Sequence, residues 1–561
     1  TIGVNRTINM NPYYNSTQSD IVNGVGGNQA SITNNRSLQI LWSNILNYNT
    51  IFNKMHSLNV MLGQEAQSYE YFQNVATIDG ISDDYYQWYN MGAGSTLKAP
   101  SSNYTGDKML SYFARINYSF KDRYLVTVTG RFDGSSKFGE DNRFAFFPSA
   151  ALGWRASEED FLKGNKVISN LKPRVSYGFT GNSGIPTYGS MANLSTSGMA
   201  YPFGGTRENG IGVGSLANPL LRWEKTGQFN VGLDLGFFNE RISLSADYYI
   251  KHTTDMLLNA PVPTTSGFRS ISTNIGNMRN SGFEFTLNTQ NIQTKNFSWS
   301  SMLNFSSLKN KITALSQGDA DIIMAPNNLT ILRVGESVGS FFGYIRDGVW
   351  GENEAEQAAI YGKLPGDAKL RDVNNDKQIN ESDRVILGKG IPDFYGTFTN
   401  TFKYKDFDLV IELQYSCGSK IYWDGLGTCA MRQGIANSLS MVLDTWTPEN
   451  QGATLEQIRP SNAYYNSLKD DARLYNGSFI RGKNISLGYN LPSDICEKLH
   501  LKALRVTLSA QNIFVISQYP GFDPETTVYN TTTQNEAFAQ NIETFGYPKP
   551  RTFSFGANIT F

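Results

Sequence analysis

Apolar and polar residues alternate along most of this chain. Between Gln228 and Phe237, one set is Phe229, Val231, Leu233, Leu235 and Phe237; the other is Gln228, Asn230, Gly232, Asp234 and Gly236. A period of two puts successive side chains on opposite faces of a strand. Ile242, Leu244, Ala246 and Tyr248 repeat it against Ser243, Ser245 and Asp247. Leu504, Val506, Leu508 and Ala510 do so against Arg505, Thr507, Ser509 and Gln511. Phe553, Phe555, Ala557, Ile559 and Phe561 close the chain in the same way. The pattern predicts about 16 strands of ~9–16 residues. Short connections, such as Lys121-Asp122-Arg123, Asn239-Glu240 and Lys405-Asp406, alternate with long ones near 69–108, 182–221, 254–276, 310–393, 419–474 and 516–550. A soluble sandwich has no reason to keep that parity, whereas an outer-membrane barrel does, with turns in the periplasm and loops outside. The expected fold is all-β: a transmembrane antiparallel β-barrel whose last strand ends in the periplasm.

Composition sharpens this. Charged residues are 17% and aromatics 13% of the 561 residues; typical soluble chains carry about 25% charged residues. No apolar run reaches the ~18 residues of a helical span. A net charge of -1 argues against nucleic acid as a partner, and so many aromatics argue against disorder. Phe146-Phe147, Phe237-Phe238 and Tyr248-Tyr249 are expected at the membrane interfaces. Asp234, Asp247, Glu284, Glu412 and Arg505 are expected to face a wet or plugged lumen. Cys417, Cys429 and Cys496 form no CxxC pair, and His56, His252 and His500 stand singly, so neither a zinc site nor a disulfide framework is indicated. The chain opens on the strand-like Thr1-Ile2-Gly3-Val4 with no signal peptide, as a processed or incomplete chain would.

A series of motifs gives the barrel a family resemblance. Arg131–Gly139 (RFDGSSKFG) is followed by Phe147-Pro148-Ser149, Leu152-Gly153-Trp154, Leu171–Gly178 (LKPRVSYG) and Gly181-Asn182. Asn218-Pro219, Trp223-Glu224-Lys225, Gly232-Leu233-Asp234, Tyr249 with Thr254-Asp255, and Asn280–Glu284 (NSGFE) come next. Gly343-Tyr344, Asp347-Gly348, Gln511–Phe514 (QNIF), Tyr519–Glu525 (YPGFDPE) and Pro548–Phe553 (PKPRTF) complete the series. From about residue 30 to Phe561 this order resembles the SusC/RagA family of TonB-dependent outer-membrane transporters of Bacteroidetes. The resemblance implies a 22-stranded barrel of about a thousand residues, of which residues 1–561 would be the C-terminal part, without the plug and N-terminal domains. It implies active import of an oligosaccharide or oligopeptide under a SusD-like lipoprotein lid, energised by the TonB-ExbB-ExbD complex. Two transporters commonly pair with two lids in that family. The chain would then be no enzyme. The alternatives are a passive 16-stranded porin and a soluble or surface-attached glycan-binding β-protein.

Within the expected extracellular loop 310–393, Asp372, Asn374, Asp376 and Asp383 place oxygen donors at positions 1, 3, 5 and 12 of a twelve-residue loop, and Gln378 adds its carbonyl at position 7. Hard cations such as Ca2+ need six or more such oxygens. Lys377 in place of glycine and the short Asp383 depart from the usual calcium loop, and an Asx-rich turn would use the same residues. Gly335–Gly339 (GESVG) matches a nucleophile elbow in letters but not in context. Residues 437–446 carry a helical pattern. Tyr86 and Trp88, within Tyr85–Tyr89, are candidate substrate contacts because flat rings suit sugars or peptide side chains; Tyr464-Tyr465 is a second platform, and inter-loop packing is the plainer role for both.

Overall fold

The computed structural model describes residues 1–16, 28–196, 200–324, 328–430, 438–459, 468–526, 538–544 and 546–561; Tyr464-Tyr465 lie outside them. Nineteen strands belong to one principal sheet. Three of these are broken-off parts of a neighbour. Gly94–Leu97 shares a partner with Ser101–Phe120, Lys309–Ala314 with Phe297–Ser307, and Val515–Ser517 with Ala503–Gln511. Sixteen staves remain among the described residues, as the alternation predicts.

The chain divides into two compact units. In the first, β1 (Ile2–Asn15), β2 (Gln29–Phe52), β3 (His56–Ile81), β4 (Ser101–Phe120) and β5 (Tyr124–Ser135) pair antiparallel in chain order. β6 (Phe144–Trp154), β7 (Ile168–Asn182) and β8 (Glu224–Phe237) have residues in both units. In the second, β9 (Ile242–Thr254, of which Thr254 belongs to the first unit) is followed by β10 (Asn277–Gln293), β11 (Phe297–Ser307), β12 (Phe394–Tyr404) and β13 (Phe407–Cys417). β14 (Phe479–Asn490), β15 (Ala503–Gln511) and β16 (Thr552–Thr560) complete it, again each antiparallel to the next. The short connections are tight hairpins: Lys121 and Asp122 both adopt positive φ, 52° and 53°, as the twist of paired strands favours.

One expectation fails in an informative way. Much of the predicted loop 69–108 is strand, because β3 runs to Ile81 and β4 begins at Ser101. β2 has 24 residues, about 80 Å at ~3.3 Å each, although a barrel strand crosses a membrane in ~9–11 residues. At their far ends Ala30, Ile78 and Ile81 are buried beside Trp88, so the apolar positions there answer to a local core and not to lipid, and the hydrogen-bonded pairing continues without a strict alternation.

The aromatic pairs also divide. Phe146 is exposed, but Phe147 is buried, with Phe138, Ile185, Leu221 and Trp223, in a core of the first unit. Tyr248 is exposed while Tyr249 is buried. Adjacent strand residues cannot share a face, so each of these two pairs supplies one exposed ring and one packed ring.

The expected loops of the second unit fold together. Segment 310–393 carries a four-stranded sheet of Ile322–Met324, Thr330–Leu332, Ser340–Gly343 and Val385–Lys389. Leu329 and Phe341 pack there with Tyr422, Ala539 and Ile542 from the loops 419–474 and 516–550. The pattern at 437–446 gives only a 3-10 turn, Ser440–Asp444; Asn437 lies outside the described residues.

Candidate functional site

Three features could meet a ligand, and local sequence builds each. The first is the polar side of the β1–β4 ladder. Strand register aligns Asn9, Asn35, Gln73 and Asn103 in one rung and Thr7, Ser37, Tyr71 and Thr105 in the next. Gln73 Nε2 donates to Asn35 Oδ1 at 2.9 Å and Tyr71 Oη donates to the same atom at 3.1 Å. The opposite side of the same strands carries Val4, Ile8, Trp42 and Leu46, all exposed. Apolar side chains facing lipid and uncharged hydrogen-bonding groups facing inward are what a transport wall requires.

Among the inward charges of the second unit, Asp234, Asp247 and Arg505 are held in ion pairs. Arg174 bridges Asp234, at 2.9 Å, and Asp247, at 3.0 Å, while Ser245 Oγ donates to Asp234 at 2.8 Å. Arg505 pairs with Asp408 at 2.6 Å. Of these, Arg174 and Asp408 escaped the reading of the chain, since pairing across strands separates partners by dozens of residues.

The second feature is the loop module. Arg346 forms a buried pair with Glu456 at 2.8 Å and with Asp470, through Nε, at 2.7 Å. Glu456 is so deeply buried that its carboxyl is pushed above the usual range despite the guanidinium beside it. The candidate calcium loop lies in the same unit. Asp372 Oδ2 accepts from Lys377 N at 2.8 Å, Asn374 Oδ1 from Asp376 N at 3.0 Å, and Asp376 Oδ1 from Gln378 N at 2.8 Å. Asp383, fully buried, accepts from Val373 N and Asn380 N, both at 2.9 Å. The Asn374 and Asp376 bonds are Asx-turn bonds, while Asp372 and Asp383 reach across the loop, so its own backbone groups shape it. No cluster of three or more Asp, Glu, His or Cys side chains able to hold a metal occurs among the described residues, Asp372, Asp376 and Asp383 included. In the GESVG stretch, Ser337 is buried, its Oγ donates to Asn310 Oδ1 at 3.2 Å, and a strand follows where an elbow needs a helix.

At the aromatic corner Trp88 packs against Ala30, Ile78 and Ile81 and stacks on Tyr89 with ring centroids 4.1 Å apart. Tyr86 is 38% exposed, while Tyr85 and Tyr89, at 86% and 74%, present the most open rings.

The third feature is a cavity of about 590 Å³ in the second unit, bordered by β12, β13 and the loop around Glu525.

A family model described as TonB dependent receptor-like, beta-barrel, matches residues 2–513. TonB-dependent receptor P3 of Formosa agariphila is 36% identical over 550 residues, 96% of this chain and 54% of that protein. TonB-dependent receptor SusC of Bacteroides thetaiotaomicron is 33% identical over 481 residues, 83% of this chain and 45% of its own length. Among solved structures, the RagAB peptide transporter aligns with a TM-score of 0.84 at 25% identity, covering 100% of this chain and 59% of that one. The chain thus spans about half the length of the curated relatives it matches. These matches overturn the soluble, surface-attached alternative. The chain belongs to the TonB-dependent receptor-like β-barrel family of the bacterial outer membrane.

Proposed function

We propose that the full-length protein imports a bulky nutrient, an oligosaccharide or oligopeptide, across the outer membrane in a TonB-dependent manner. A SusD-like lipoprotein would cover the extracellular loops as a lid, and two such pairs would assemble together. The reading is carried by the family match over residues 2–513, and the likeness to SusC and to the RagAB peptide transporter supports it. The polar rungs of β1–β4 suit it as well, because they offer hydrogen bonds to a hydrated solute without capturing it through charge. The chain's part in the process is binding and guiding; it makes no covalent change.

The test is uptake of labelled nutrient by cells carrying or lacking the gene, with and without an uncoupler. Uptake should need both the gene and the proton-motive force. Gene-dependent uptake that persists with the uncoupler would mean a passive pore. We further propose that Ca2+ rigidifies the loop formed by Asp372, Asn374, Asp376, Gln378 and Asp383. Calorimetric titration of the metal-stripped protein should show binding that Asp376→Ala abolishes; no heat with the wild type removes the proposal.

A further inference from the structure

We propose that the cavity bordered by β12, β13 and the Glu525 loop is a subsite for an uncharged, hydroxyl-rich ligand: one or two sugar residues of a neutral oligosaccharide. This rests on the import reading and narrows it. At about 590 Å³ the cavity falls within the ~300–1,000 Å³ of small-molecule sites. Tyr395 and Ser416 stand directly opposite each other in the β12–β13 register and line one side; Ser419 and Thr526 add hydroxyls, and Phe479 adds an apolar wall.

Charge decides the ligand class. The carboxylate in the lining, Glu525, accepts from Lys549 Nζ at 2.7 Å and Gln414 Nε2 at 2.8 Å, and it faces Arg481 Nε at 3.2 Å. Arg481 also holds Asp523 at 2.6 Å, and Lys483 Nζ donates to Gln414 Oε1 at 2.9 Å. Burial pushes the Glu525 carboxyl up, but the cations around it hold it below the usual glutamate range. The ionised groups at this rim are thus engaged with one another. A peptide terminus or acidic sugar would have to break one of these pairs to be neutralised, whereas a neutral polyol need not.

Hydroxyls are what remain on offer. Thr526 Oγ1 is buried without a hydrogen-bond partner among the described residues. Such an atom is costly unless something satisfies it, and a ligand hydroxyl, both donor and acceptor, is suited to do so. The Phe479 ring and Pro392 can meet the C–H face of a pyranose.

The test uses the full-length transporter in detergent, titrated calorimetrically with cellotetraose, maltotetraose, mannotetraose and xylotetraose, and separately with tetra-alanine. At least one tetrasaccharide should bind saturably. Ser416→Trp, which fills the cavity, should weaken that binding at least about tenfold, and Tyr395→Phe should weaken it by about three- to tenfold, one hydrogen bond's worth. Melting temperature checks folding, and if the tryptophan variant fails to fold, Tyr395→Phe and Thr526→Val decide in its place. Binding of tetra-alanine alone, of no tetrasaccharide, or of wild-type strength in the folded variants overturns the proposal. Uncoupler-sensitive uptake alongside any of those results would leave the import reading standing.

Discussion

Phe138 shows what a single motif residue does here. It belongs to the Arg131–Gly139 stretch, and it is fully buried against Trp223 with ring centroids 5.3 Å apart. In the same stretch Arg131 pairs with Asp133 at 2.7 Å and donates to Ser111 Oγ at 2.9 Å, while Trp223 Nε1 donates to the Arg143 carbonyl at 2.9 Å. Phe138 and Trp223 belong to a small core in the first unit, so the aromatic of the motif is built for packing. Truncating Phe138 to Ala should cost about 3–5 kcal/mol, seen as a lower melting temperature of the full-length protein in detergent. A change under about 1 kcal/mol would mean the cluster is dispensable. Gly282, in the Asn280–Glu284 motif, has a comparable reason. It lies opposite Tyr249 in the β9–β10 register, and a Cβ there would come within 2.6 Å of the tyrosine oxygen. The residue types were legible in the chain, but their partners were not, because Trp223 lies 85 residues from Phe138.

At the scale of elements, the staves were legible where one face meets lipid. β8, β9 and β16 follow the alternation closely, since lipid imposes an apolar residue at every second position. The extensions of β2 and β3 were not, because there Ala30, Ile78 and Ile81 answer to a local core beside Trp88 and not to lipid. The loop module escaped for a different reason. Its strands are two to five residues long, too short for a period to register, and its core gathers Phe341, Tyr422 and Ile542 from three separate loops. The Arg346 clasp joins two of those loops. Arg346→Ala would strand Asp470 and Glu456, both almost fully buried, and losing one partner of a buried pair costs about 3–5 kcal/mol. Hydrogen exchange should therefore accelerate in residues 344–371 and 468–476, while the β9–β16 ladder keeps its protection. Unchanged exchange in the module would mean the clasp carries no weight. The candidate calcium loop was read from spacing alone, and the structure adds the Asx-turn bonds that give it shape.

For the whole molecule, sequence alone determined the all-β class, the sixteen staves and the alternation of short and long connections, because lipid and periodic hydrogen bonding constrain every stave locally. Its motif series also pointed to the right family. Only the tertiary structure decided which inward charges neutralise each other, which loops fuse into one module, and where a cavity lies among them. The physical reason is range: face and turn are set by residues a few positions apart, whereas an ion pair such as Arg174 with Asp247, or a cavity bordered by Tyr395 and Thr526, exists only once distant segments are brought together.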